Sequence, residues 1–548
     1  MQRAIVVSGL LVLLVAACGG GDRPGELGAR PPRLQDGLGD RTYPITTSQP
    51  LAQRYFDQGL QLVFGFNHEG AVDAFQEAAR LDPRCAMCFW GTALALGPNI
   101  NAPMGPEAGR AAYAAVGEAR RLAPGAGASE RALIAALAKR YAADPEAPRG
   151  PLDRAYAKAM GEVHRAHPDD LDAATLYAEA LMDLTPWDYY TPAGEPRKHT
   201  EEIVSTLEAV LARDPDHAGA NHYLIHALEE YQPQRAEAAA DRLARLAPGA
   251  GHLVHMPSHI YWRVGRYEDA AAINQRAAAA DEAYFAACRA PGGYAAGYYT
   301  HNIHFLWAAA AAEGRSDLAL TSARRLAAAV PQQSVAQLAF LEDFLAVPVL
   351  TLARFGRWDA ILAEPAPPAS QRYVTAMWHY ARGLAHARGG QVAAAEDEQR
   401  ALEAAARDGS LAETVYDVAG NTAGDRLEVA RHHLAAAIAK ARGDEDGALA
   451  ALRDAVRAQD AANYIEPPAF YFPVRQALGA ALLDAGRHAE AEAVYRADLA
   501  KHPRNGWSLF GLGASLRAQG RDADAAWVAR GFETAWARAD VELSASAF

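Results

Sequence analysis

Small and apolar positions recur along the chain on a fixed ruler. Leu478-Gly479, Gly486 and Ala491 reappear as Leu512-Gly513, Gly520 and Ala525, each 34 residues later. Counted from Ala52, the same ruler meets Tyr55, Gly59, Ala71, Phe75, Ala78 and Pro83. Block 251–284 carries Ser258, Tyr261, Gly265, Tyr267, Ala270 and Ala277, block 217–250 carries Ala236 and Pro248, and block 300–333 carries Gly314, Ala319 and Pro331. Fainter copies surround Gly356-Arg357-Trp358, Gly383 with Ala395, and Gly443 with Ala448, while 86–168 and 171–215 are degenerate. A fixed period of this length marks a supersecondary unit that buries its apolar face by stacking on its neighbours.

Composition selects the unit. Hydrophobic residues make up 51% of the chain but aromatics only 8%, so much of the apolar content is alanine, a strong helix former that fills close helix contacts. A sheet would need more β-branched and aromatic residues. The 53 basic and 66 acidic residues give a net charge of −13, which argues against nucleic acid as a partner, since that affinity comes from Lys and Arg neutralising phosphates. The mean hydropathy is −0.16, and no apolar run of ~18 residues lies beyond the N-terminus, which excludes a multi-span membrane protein.

The period and these residue places resemble the tetratricopeptide repeat (TPR), and the resemblance covers nearly all of 50–540. It implies an all-α fold, a right-handed α-solenoid (superhelix) of about eight to ten helix-turn-helix repeats. Small residues then let antiparallel helices approach closely, and glycine turns the chain between them. The blocks also look like a subset of bacterial TPR proteins that carry a Phe-Asn-His stretch followed by Cys-x-x-Cys, here Phe66-Asn67-His68 and Cys85/Cys88. The same subset carries Glu-Pro-Pro followed by aromatics, here Glu466-Pro467-Pro468 and Phe470-Tyr471-Phe472. No established activity comes with that resemblance.

The N-terminus reads as an address. Arg3 and the apolar run Ala4–Ala17 suit a signal peptide, and Val15-Ala16-Ala17-Cys18 resembles the lipobox of bacterial lipoproteins, which implies lipidation at Cys18. Gly19 after that cysteine favours the outer membrane, with the chain facing the periplasm. Five segments are expected: signal peptide 1–18, flexible linker 19–48, N-terminal repeats 49–216, central His-rich repeats 217–333 and C-terminal repeats 334–540. In an oxidising compartment Cys85 and Cys88 form a disulfide, a redox pair or half a metal site, or pack reduced, with the structural roles favoured. Cys288 has no obvious partner.

Of 18 histidines, eight lie between 217 and 304, where even spreading would put about three. His222/His226 and His255/His259 are four apart and His301/His304 three apart, so each pair shares a helix face and can converge on one ion. In the resembled family the places of His252, His255, His259, His301 and His304 line the concave groove. The ruler sets His222 and His226 about 100° away from that stripe. Imidazole without an obligatory carboxylate leans toward copper or zinc. No His-Glu-x-x-His or Gly-x-Ser-x-Gly motif accompanies the cluster.

Two functions follow. One is a lipid-anchored extracytoplasmic scaffold that holds a protein or peptide through groove residues such as Tyr261, Trp262 and Arg263. The other is a metalloprotein, oxidative, hydrolytic or metal-carrying, whose ligands come from His222, His226, His252, His255, His259, His301 and His304. Trp187 sits in a Pro-rich insertion suited to a loop over the groove, and Glu466 with Arg475 is expected to form an ion pair. His68 is expected to pack.

Overall fold

The computed structural model describes residues 32–287 and 293–548. Cys18, Cys288 and the signal peptide 1–18 lie outside the described residues. Helices and three isolated bridges make up the described regular structure, with no strand among them. No helix there is long and apolar enough to cross a membrane. The fold is TPR-like: antiparallel helices follow one another in pairs, as the alanine-rich repeats dictate. Glycines at the turns between paired helices adopt positive φ, including Gly265 (78°), Gly314 (72°), Gly486 (69°) and Gly520 (72°), a region that glycine enters without steric cost.

The chain divides into two compact units, and the division cuts through the central block 217–333. One unit holds the described residues up to Ile260 together with Gln275–Tyr299, and the other holds Tyr261–Asn274 and Thr300–Phe548. Each uses the same packing device. In the first, Phe75 fills the space left by Gly59 and Gly91, where an added Cβ would fall 2.7 and 2.4 Å from its ring. In the second, Tyr495 does the same beside Gly479 and Gly511, at 2.4 and 2.1 Å. The large ring of a second helix thus wedges between two first helices, and the missing methyls permit the approach.

The first unit also holds the segment expected to be a flexible linker. From residue 32 onward that segment is a strap. Arg41 pairs with Asp172 and Asp214, the Tyr43 hydroxyl donates to Asp170 at 2.8 Å, and Leu38 is buried. Its charged and aromatic side chains find partners on the repeats, which the Gly- and Pro-rich composition conceals. Cys85 and Cys88 are joined in a disulfide at the start of Ala86–Ala95.

Candidate metal centre

Three first helices of the sequence pattern carry the histidines: Ala218–Leu228, the run Gly251–His255 continued by Pro257–Arg263, and Thr300–Ala312. His222 and His226 are the fifth and ninth residues from Ala218, and His255 and His259 are the fifth and ninth from Gly251. The rotation expected for His222 and His226 is therefore absent. These two helices start 33 residues apart rather than 34, and that single residue restores the shared face.

In the first unit His222, His226 and His252 come together, with one ligand nitrogen of each within 4.8 Å of the others. Their exposures are 0%, 4% and 2%. Nδ1 of His222 lies 2.6 Å from the Phe64 carbonyl oxygen. A carbonyl only accepts, so Nδ1 carries the proton and Nε2 keeps its lone pair. That Nε2 and both ring nitrogens of His226 have no hydrogen-bond partner although they are fully enclosed. Burial, then the neighbouring His226, pushes the His222 pKa well below its usual value. Burial followed by His259 does the same to His226. Both imidazoles are neutral at pH 7, the state that binds a transition metal.

His255 and His259 stand beside this trio. Their Nε2 atoms are 3.0 Å apart, and His255 Nδ1 lies 3.3 Å from Ser258 Oγ. Glu229 Oε2 lies 3.4 Å from His259 Nδ1 and 3.6 Å from His226 Nδ1. Burial lowers the His259 pKa while Glu229 opposes the shift. A buried carboxylate facing Nδ1 orients an imidazole so that Nε2 points at an ion. Ligands at about 2.0–2.1 Å from a tetrahedral ion sit about 3.3 Å from each other, close to the His255–His259 separation.

Aromatic side chains enclose the trio. Phe66 packs on His222, His252 and His226 at ring distances of 4.6, 5.6 and 6.0 Å. Trp187 meets His226 edge-on at 5.2 Å, and Tyr298 lies 4.5 Å from His252. Trp187 Nε1 donates to Asn101 Oδ1 at 3.1 Å. Phe66 and Trp187 have φ of 55° and 63°, a left-handed backbone that costs a bulky residue energy and collects at functional sites. The His252 N–H donates to the Tyr294 hydroxyl at 3.1 Å, which donates to Asp281 Oδ1 at 3.0 Å.

The remaining candidates divide by unit. His217 caps its helix, with Nδ1 accepting from Ala220 N at 3.2 Å. His68 is half-buried, its pKa drawn down to about 4 chiefly by desolvation, and packs 3.4 Å from Asn99 Nδ2. His301 and His304 belong to the second unit. There His301 meets Phe305 edge-on at 5.7 Å, and His304 stacks on Trp307 at 5.1 Å. Burial brings the His304 pKa down to about 3, with Arg426 adding to the shift.

Tyr261 and Trp262, expected on an open groove, are buried in the second unit. Trp262 packs against Tyr267 and Phe305 at 5.1 and 6.0 Å. Arg263 lies over Tyr464 at 5.3 Å and 3.7 Å from Glu466 Oε1. Arg475 pairs with Asp460 instead of Glu466. Glu229, Asn101 and Tyr298 were absent from the sequence candidates; only Glu229 had a signal, three residues after His226 on one helix face.

Neither a family model nor any curated protein matches the sequence. Among solved structures, the chain is similar to a human IFIT1 dimer with m7Gppp-AAAA, at 11% identity over 90% of this chain and 91% of that chain, with a TM-score of 0.33. It is also similar to the APC/C hetero-tetramer Cut9-Hcn1, at 11% identity over 90% of this chain and 78% of that chain, with a TM-score of 0.32. The TPR-like fold rests on the helix pairs and their glycine turns.

Proposed function

We propose that this protein is a metalloprotein that holds copper or zinc on His222, His226 and His252, with His255 and His259 offering a second, adjacent position. One observation carries the reading. Three enclosed imidazoles converge, His222 and His226 held neutral by burial, while the Nε2 of His222 and both nitrogens of His226 have no hydrogen-bond partner. A buried polar atom without a partner costs about 1–3 kcal/mol, and an ion removes that cost. The nitrogen donor set suits copper and zinc. Phe66, Trp187 and Tyr298 wall the position; copper there would support oxidative chemistry and zinc the activation of water.

Metal analysis of the purified full-length chain after dialysis tests this, with about one to two ions per chain expected and an absorption spectrum separating copper from zinc. The double variant His222→Leu/His226→Leu should retain none at the first position. A chain that holds no metal, and whose binding of added copper and zinc is the same in wild type and variant, overturns the proposal.

We infer further that Cys18 is lipidated and anchors the chain in a bacterial cell envelope. The lipobox-like sequence supports this, and a disulfide at Cys85–Cys88 suits an oxidising compartment. Cys18→Ser should move the protein from the membrane to the soluble fraction. A role in holding a protein or peptide partner is compatible with the metal centre, because repeat arrays present extended binding surfaces. A partner that co-purifies with both wild type and the histidine variant would support it, and the absence of any would count against it.

A further inference from the structure

The histidine trio is built on a seam within the first unit. The end of helix Pro50–Phe64 lies against Ala218–Leu228, where an added Cβ on Gly219 would fall 2.5 Å from the Phe64 ring. That same end gives the Phe64 carbonyl to His222 Nδ1, across 158 residues of sequence, and the turn after it gives the Phe66 ring. Gly65 sits against Leu253, the neighbour of His252, with an added Cβ 3.4 Å from its Cγ.

The strap runs across this seam. On one side the Gln35 N–H donates to Gln58 Oε1 at 2.7 Å, the Tyr55 hydroxyl to the Pro32 carbonyl at 2.7 Å, and the Tyr43 N–H to Asp57 Oδ1 at 3.0 Å. On the other the Gly249 N–H, just ahead of Gly251–His255, donates to the Gly37 carbonyl at 2.8 Å. Arg41 grips Asp172 there through two hydrogen bonds, of 3.2 and 2.8 Å. Gly37 has a φ of 78°, and an added Cβ would fall 3.0 Å from Gly249 N, so glycine lets the two backbones meet. Between strap and seam lies a cavity of about 10 Å³ lined by Gln35, Leu62, Gly65, Gly251, Asp281 and Tyr294, room for about one water.

We propose that the strap is a clasp on the histidine trio. Seated, it holds the first helix against its partners; released, it lets the helix end with Phe66 move away and opens the imidazoles to solvent. Leu38 is the one buried side chain of residues 32–48, so polar contacts carry the strap and little apolar area resists its release, the mark of a segment that opens locally. Burial would raise the Asp172 carboxyl, but hydrogen bonds from His217 and Arg41 hold it down at about 2, so the grip persists at neutral pH. What the clasp means for metal rests on the function proposed above; the clasp itself is tested without an ion.

Carbethoxylation of the metal-free full-length chain, mapped by mass spectrometry, provides that test, because diethyl pyrocarbonate modifies imidazoles that solvent reaches. Gly37→Val and Arg41→Ala should each speed modification of His222, His226 and His252 about tenfold, the factor set by losing one strong hydrogen-bonded contact. The rate at His304 of the second unit should stay that of the wild type. Should Gly37→Val fail to fold, Arg41→Ala decides, since that side chain is 25% exposed. Unchanged rates at the trio in Arg41→Ala, or an equal rise at His304, overturn the proposal.

Discussion

The two units bury polar groups in different ways. Around His222 and His226 the interior holds ring nitrogens without a hydrogen-bond partner, and burial keeps both rings neutral. Around Arg354 the interior holds a cation supported by stacked rings and by Gln476, with Asp498 the carboxylate that acts on it. Arg140 and Arg426 are met by Asp183 and Asp417, and Arg354 by Gln476, whereas His222 Nε2 and both ring nitrogens of His226 depart from the rule that buried polar groups are partnered.

The largest expected effect tests what holds the cation. Trp507 is fully buried under Arg354, so Trp507→Ala should lower the unfolding free energy in urea by about 3–5 kcal/mol. Arg354→Met should cost less than that, because methionine keeps the contact with the rings while the desolvation cost of a buried cation disappears; a loss as large as that of Trp507→Ala would erase the contrast between the units. On the other side, copper or zinc at a hundredfold excess over Kd should raise wild-type stability by about 2.7 kcal/mol. His222→Leu/His226→Leu should lose the share that comes from the first position, and without metal that variant should be at least as stable as wild type.

The pH dependence is smaller. Folded His222 and His226 titrate below 6.5, so the unfolded chain takes up protons first as pH falls. Their contribution is complete above pH 6.5 and shrinks below it, by at most about 1.4 kcal/mol per pH unit for each group. Denaturation midpoints in chelator at pH 7.5 and 5.5 should show a flatter response in the double leucine variant. Glu466 runs the other way, as burial raises its folded pKa to about 8. Its stabilising proton is lost as pH rises toward 8, and Glu466→Gln should flatten the fall in stability between pH 6.5 and 8.

The repeat ruler made the helix pairs legible, because packing demands small residues at fixed places, as Gly59 and Gly479 show, and the turns demand positive φ, as at Gly486. The cluster was legible in composition but not in register. One residue fewer between Ala218 and Gly251 turns a helix by about 100°, and no rule of period anticipates it. Phe64 was invisible as a hydrogen-bond acceptor because any residue supplies a carbonyl. Asn101 and Tyr298 act from distant segments that only folding brings near. Tyr261 and Trp262 read as groove residues from their repeat places, and the fold packs Trp262 against Tyr267 of the next turn and Phe305 of the next repeat.

The enclosure of the trio governs how an ion would leave. Phe66 and Trp187 hold left-handed backbone where they cover the histidines, so release waits for those two turns to open. A competing chelator would then strip the metal at a rate that stops rising with chelator concentration, a plateau that measures the opening itself.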